Sequence, residues 1–85
     1  MCLHIAHTVA VSGSAKGPQG WFAVSSAVAS VDHPQHASMA HTVNVDFYGD
    51  QGPAGPRVAI ELDPEAARRL LRSIEAAMAE AGSEL

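Results

Sequence analysis

Hydrophobic and polar residues alternate along four segments of the first two thirds of the chain. At residues 3–12 the odd positions carry Leu, Ile, His, Val and Val, while most even positions are small or polar. A period of two places successive side chains on opposite faces of a β-strand. The pattern predicts four strands, at residues 3–12, 21–31, 41–48 and 57–62.

A helix is predicted directly after the last strand. Asp63 is suited to the N-cap, Pro64 to the first helical position and Gly82 to the C-cap. Apolar residues recur between them at helical spacing, which gives the helix one apolar side. We define this helix stripe as Ala67, Leu70, Leu71, Ile74, Met78 and Ala81.

Two of the connecting segments, 13–20 and 49–56, are rich in glycine and proline and are predicted to be turns. Short connections favour antiparallel pairing between consecutive strands. We therefore predict an α+β fold, in which a four-stranded antiparallel meander is followed by one C-terminal helix packed on one face (ββββα). Eighty-five residues leave room for a single domain, residues 1–85.

The predicted register places Ser12 opposite Trp21 and Asp32 opposite His41. In this register the helix stripe covers the sheet face that carries the large apolar residues. The other face carries mainly small residues, among them Ala27, and has fewer charges than a solvent-facing sheet usually shows. We therefore expect this second face to form the contact of a homo-oligomer, a dimer or larger, with Trp21 as an aromatic anchor.

The composition agrees with an oligomer. Hydrophobic residues make up 47% of the chain, but sixteen of its 85 residues are alanine, so most buried side chains contribute little free energy. Domains of this size are marginally stable alone, and oligomerisation is a common remedy.

Charge and patterning argue against two classes of partner. The formal net charge is −4 with only five Lys and Arg residues, which gives no basic patch for nucleic acid. No stretch reaches the roughly 18 apolar residues of a membrane helix, so no membrane partner is expected. The single cysteine and a start without signal-peptide features favour the cytoplasm. A small-molecule ligand is compatible with the sequence, which does not identify one.

The strongest chemical signal is a cluster of histidines. Three of the five histidines fall within nine positions, and Asp32 directly precedes them. Neutral imidazole is the commonest metal ligand near neutral pH, and three imidazoles leave the fourth position of zinc open. The predicted register brings the start of the first strand to the same end of the sheet. The predicted ligands are His33, His36 and His41, with Cys2, His4 and Asp32 as additional candidates.

Such a site suits a divalent transition metal, zinc first, with iron, nickel and copper as alternatives. With an open position the metal would act as a Lewis acid in lyase, hydrolase or isomerase chemistry. With Cys2 or His4 as a fourth ligand it would be structural. The first hypothesis is therefore a small cytosolic metal-binding protein; whether it is a metal-dependent enzyme stays open, and no catalytic residue is identified.

Simpler interpretations compete with the metal site and with the roles of the single residues. The histidines could lie on the surface of a loop that turns at Asp32-His33-Pro34, because their spacing matches no specific zinc motif. Cys2 could be inert, a metal ligand or a nucleophile beside a histidine, in that order of preference. His7 falls among apolar positions and is expected to be a hydrogen-bonded core residue. The alternative function is a non-catalytic oligomeric binding or assembly module.

Several strings of residues resemble a known family. They are the Met1-Cys2 start, residues 13–22 (GSAKGPQGWF), and residues 32–37 (DHPQHA) followed by His41-Thr42. The whole chain resembles a family of short actinobacterial proteins known only as a domain of unknown function. The resemblance implies that segment 32–42 is a feature of the family. It carries over no activity and no functional residue.

Overall fold

Four strands and one helix make up most of the computed structural model, which describes residues 5–32 and 41–85. The elements are β1 (Ile5–Gly17), β2 (Gly20–Asp32), β3 (Thr42–Tyr48), β4 (Arg57–Leu62) and α1 (Pro64–Ala81), with short 3₁₀ helices at Gly52–Ala54 and Gly82–Glu84. The strands form one antiparallel sheet in the order β1-β2-β3-β4. The predicted α+β meander with one C-terminal helix is therefore confirmed.

The first hairpin is longer than predicted. Residues 13–17 continue β1 instead of forming a loop, and only Pro18 and Gln19 remain in the turn. The φ of Gly20 is 111°, a backbone conformation that favours glycine at the start of β2. Cross-strand pairs such as Ala15 opposite Phe22 outweigh the weak strand propensity of the glycines in this segment.

A bulge interrupts the pairing of β1 with β2. Pairing is regular up to Ala10 opposite Ser26 and resumes at Gly13 opposite Val24, so β1 contains one extra residue. An extra residue bends a strand and increases the local twist. Cα atoms of β1 and β4, the two edge strands, come within 8 Å of each other. The sheet is therefore curled rather than flat.

Both predicted registers are wrong. Asp32 lies opposite Thr42 instead of His41, and Ser12 lies in the bulge instead of pairing with Trp21. A shift of one residue moves the side chains of a strand to the other face relative to its neighbour. The predicted face assignment of β2 relative to β3 is therefore wrong as well.

The observed pairing divides the regular part of the sheet into two faces, because directly paired residues point to the same side. The apolar face consists of Ile5, His7, Val9, Ala27, Ala29, Val31, Val43, Val45, Phe47, Val58, Ile60 and Leu62. The polar face of β2, β3 and β4 consists of Ser26, Val28, Ser30, Asp32, Thr42, Asn44, Asp46, Tyr48, Arg57, Ala59 and Glu61.

The hydrophobic core of the described residues is very small. Only Val24 and Ala27 are buried hydrophobic residues there, at 6% and 7% exposure. Ala27 lies opposite Phe47 and so belongs to the apolar face. The prediction that Ala27 lies on a free second face is therefore wrong, because the register differs by one residue.

α1 begins and ends at the predicted residues. A side-chain oxygen of Asp63 accepts a hydrogen bond from the backbone N–H of Ala66 at 2.8 Å, and Pro64 occupies the first turn. This bond satisfies one of the donors that the start of a helix leaves without an intrahelical acceptor. At the other end Gly82 has a φ of 54°, and its N–H donates to the carbonyl of Met78.

The helix covers only part of the apolar face. α1 lies against β3 and β4, and an open groove of about 380 Å³ runs between helix and sheet. Val43 and Val45 line the groove on the sheet, and Leu70 and Ile74 line it on the helix. No residue of α1 is buried. The helix stripe therefore faces the sheet as predicted, but it packs loosely.

We expect Asp63→Ala to lower the free energy of unfolding by about 1 kcal/mol, because it removes the N-cap acceptor. Urea denaturation followed by circular dichroism measures the change. Asp50→Ala, in the exposed turn after β3, is the matched control and should stay within about 0.5 kcal/mol of the unsubstituted protein. Equal effects of the two substitutions would contradict the capping role of Asp63.

Candidate functional site

Three segments of the chain meet at one end of the sheet. β1 begins there with Ile5, which lies opposite Val31 of β2. The next residue of β2, Asp32, lies opposite Thr42 of β3. His41 directly precedes Thr42 in the chain. We call these five residues the histidine end of the sheet. Antiparallel pairing alone produces this convergence, since the start of β1 and the end of β2 must lie together.

Two of the six predicted metal ligands belong to the histidine end. They are Asp32 and His41, which are both half-buried, and the Nε2 atom of His41 is buried. The other four, Cys2, His4, His33 and His36, lie outside the described residues. Within residues 5–32 and 41–85, no three His, Cys, Asp or Glu side chains are grouped closely enough to hold a metal ion. The predicted metal site therefore stays a prediction.

Thr42, which follows His41, is the buried polar residue of the histidine end. Its side chain is fully buried, and its hydroxyl donates a hydrogen bond of 2.8 Å to the Oδ1 atom of Asn44 on the same strand. A buried hydroxyl without such an acceptor would cost about 1–3 kcal/mol. The side-chain bond therefore satisfies the buried hydroxyl, and the ladder with β2 positions the start of β3.

A second polar group lies farther along the polar face. The Nε atom of Arg57 on β4 is 3.3 Å from a carboxylate oxygen of Asp46 on β3, and its guanidinium lies 5.9 Å from the centre of the Tyr48 ring. The Asp46 side chain is mostly buried, whereas Arg57 is half-exposed. The sequence does not reveal this group, because the contact depends on the register between β3 and β4.

His7 lies on the apolar face, as the alternation predicts, but it is exposed. The prediction of a hydrogen-bonded core histidine is therefore wrong. The physical reason is that α1 lies over β3 and β4 and does not cover β1. Every residue from Ile5 to Ala10 is exposed, on both faces of this edge strand.

The apolar face and the helix stripe together form an apolar surface with many exposed side chains. Large hydrophobic side chains that belong to it and remain exposed are Ile5, Val9, Ile60, Leu70, Leu71, Ile74 and Met78. Scattered exposed hydrophobic residues are normal on a monomer, whereas contiguous patches mark interaction sites. The sequence predicts the helix stripe correctly, but the predicted covering of the stripe by the protein's own sheet is incomplete.

Trp21 lies apart from this surface, at the tip of the first hairpin. Its side chain is 70% exposed and lies beside an open groove of about 550 Å³ whose lining includes Pro18, Gln51 and Pro56. Trp21 pairs with Lys16, far along β2 from Ala27. Because Ala27 belongs to the apolar face, the predicted second face, with Ala27 in it and Trp21 as its anchor, is wrong.

Comparisons with known proteins identify a family for this chain, but no individual relative. None of the described helices combines the length and the apolar character that crossing a membrane requires. No curated protein matches the chain, and no solved structure matches it. A family model described as "Family of unknown function (DUF6295)" matches residues 1–85, which confirms the resemblance to an uncharacterised family. The chain, whose apolar face and histidine end are described above, therefore belongs to the family of unknown function DUF6295.

Proposed function

We propose that this protein is a non-catalytic module that functions by self-association, and that its apolar face and helix stripe are the surface through which it associates. This is the alternative function that the sequence suggests, now attached to a particular surface. A cytoplasmic location, inferred from the single cysteine, is part of the proposal.

The exposed area of the chain is the observation that carries the proposal. Its accessible surface is 6337 Å². A folded monomer of this size is expected to expose about 4,800 Å². The surplus of about 1,500 Å² exceeds the roughly 800 Å² that each partner contributes to a standard protein interface. The radius of gyration, 14.3 Å, is likewise larger than the roughly 12 Å of a compact domain of this length.

The kind of surface that is exposed supports the same conclusion. Leu71, Ile74 and Met78 are 59%, 50% and 57% exposed, and they follow one side of a single helix. Full burial of a large apolar side chain contributes about 1.5–3 kcal/mol. A chain with only two buried hydrophobic residues in its described part gains much of its missing core if a second molecule covers this stripe.

We expect the protein to be a dimer or larger at micromolar concentration, and Leu71→Glu to shift it towards the monomer. The reason is that a carboxylate at this position would be buried in the contact without a partner. Ala76→Glu places the same charge on the opposite side of α1 and should leave assembly unchanged. Multi-angle light scattering over a dilution series measures both. An unsubstituted protein of monomer mass at every concentration would overturn the proposal.

A second function, metal binding, is favoured by the convergence at the histidine end. Asp32 and His41 lie at the same end of the sheet as Ile5. His33 follows Asp32 directly, and His4 precedes Ile5 directly. We propose His33, His36 and His41 as ligands of a divalent transition metal, zinc first. Cys2, His4 and Asp32 remain additional candidates, and an open position would allow Lewis-acid chemistry.

For the metal proposal we expect about one metal ion per chain in protein purified without a histidine tag and supplemented with zinc, iron, nickel and copper. The double substitution His33→Ala and His36→Ala should abolish this binding. His7→Ala is the matched control and should retain the metal, because His7 is exposed on the apolar face. Elemental analysis by mass spectrometry measures the content. A substoichiometric content in the supplemented, unsubstituted protein would refute the proposal.

A further inference from the structure

We infer that the contact between two copies is a reciprocal exchange, in which α1 of each copy lies across β1 and β2 of the other. This inference rests on the proposed self-association and adds which surfaces meet. It follows from the width of the sheet, the width of the helix stripe and the small side chains on β2 beside the exposed strand β1.

The sheet is wider than one helix can cover. Neighbouring strands lie about 4.8 Å apart, and a helix with its side chains is about 10 Å across. One helix therefore covers about two strands. α1 lies against β3 and β4, and its groove reaches Ala29 on β2, whereas every residue of β1 from Ile5 to Ala10 is exposed. A second helix of the same width would complete the layer.

The helix stripe is wide enough for two contacts. Successive residues of an α-helix are rotated by about 100°, so Leu70 and Leu71 lie on opposite flanks of the stripe. Both remain exposed, although both also line the groove between α1 and the sheet. A stripe of this width can contact its own sheet with one flank and a second molecule with the other.

The apolar face has a depression along β2, between β1 and β3. On β2 the apolar face carries Ala27 and Ala29, whose side chains are small. Val9 lies opposite Ala27 on one side, and Val45 lies opposite Ala29 on the other. Alanines between larger side chains form a depression, and side chains of a helix pack into such depressions. The exposed side chains of Ile74 and Met78 have the shape to fill it.

Reciprocal exchange is also the arrangement that covers both exposed sets at once. A contact between two helices alone would leave Ile5 and Val9 exposed, and a contact between two β1 edges would leave the helix stripe exposed. In a two-fold exchange each copy contributes one helix and one pair of strands, as a closed symmetric dimer requires.

Cross-linking between two differently tagged chains tests this geometry. Both chains carry Cys2→Ala, which removes the single natural cysteine. One chain also carries Val9→Cys and the other Ile74→Cys, and both positions are exposed in the single chain. After the chains are mixed and reassembled, a short bismaleimide should cross-link the two cysteines and give a product that carries both tags. Replacing Ile74→Cys by Ala76→Cys, on the opposite side of α1, should abolish the product.

Each outcome separates this inference from the proposal on which it rests. A cross-linked product that carries both tags with Ile74→Cys, and no such product with Ala76→Cys, supports the exchange. A protein of dimer mass that links only Ile74→Cys to itself or only Val9→Cys to itself would overturn the exchange, in favour of helix–helix or edge-to-edge contact. A dimer without any of these links would overturn it as well, while self-association stands. A protein of monomer mass throughout would overturn both.

Discussion

The mismatch between one helix and four strands is the constraint on which the rest of this structure depends. A helix can cover about two strands of a sheet, and α1 lies against β3 and β4. The described part of β1 is consequently bare from Ile5 to Ala10, and the helix stripe keeps about half of its surface in water. The small core, the surplus area and the proposed self-association all follow from this incomplete layer.

Small side chains on β2 reduce the area that the sheet can bury, and they also allow close approach of a neighbouring element. Ala27 and Ala29 let a neighbouring element come close to β2, but they contribute little burial of their own. The bulge after Ala10 curls the sheet, and Val24 becomes one of the two buried hydrophobic residues of the described part.

The histidine end is organised by the backbone. Pairing in the meander brings Asp32, His41 and the start of β1 together, and the buried hydroxyl of Thr42 finds its acceptor in Asn44. The sequence predicts this convergence correctly although both of its registers are wrong, because a meander joins the same strand ends in any register. The exact pairs differ, because the turn geometry and the bulge set the register, and the alternation of residues does not specify either.

The sequence by itself determined the order of the elements, the ends of α1 and the membership of the helix stripe. These features depend on local chemistry: the Asp63 carboxylate, the ring of Pro64, the flexibility of Gly82 and the helical spacing of apolar residues. Only the tertiary structure decided the length of the first hairpin, the bulge, the Arg57–Asp46 contact and the exposure of His7. Those depend on which strands pair and on how far one helix reaches across them, and both are set by contacts between residues distant in the chain.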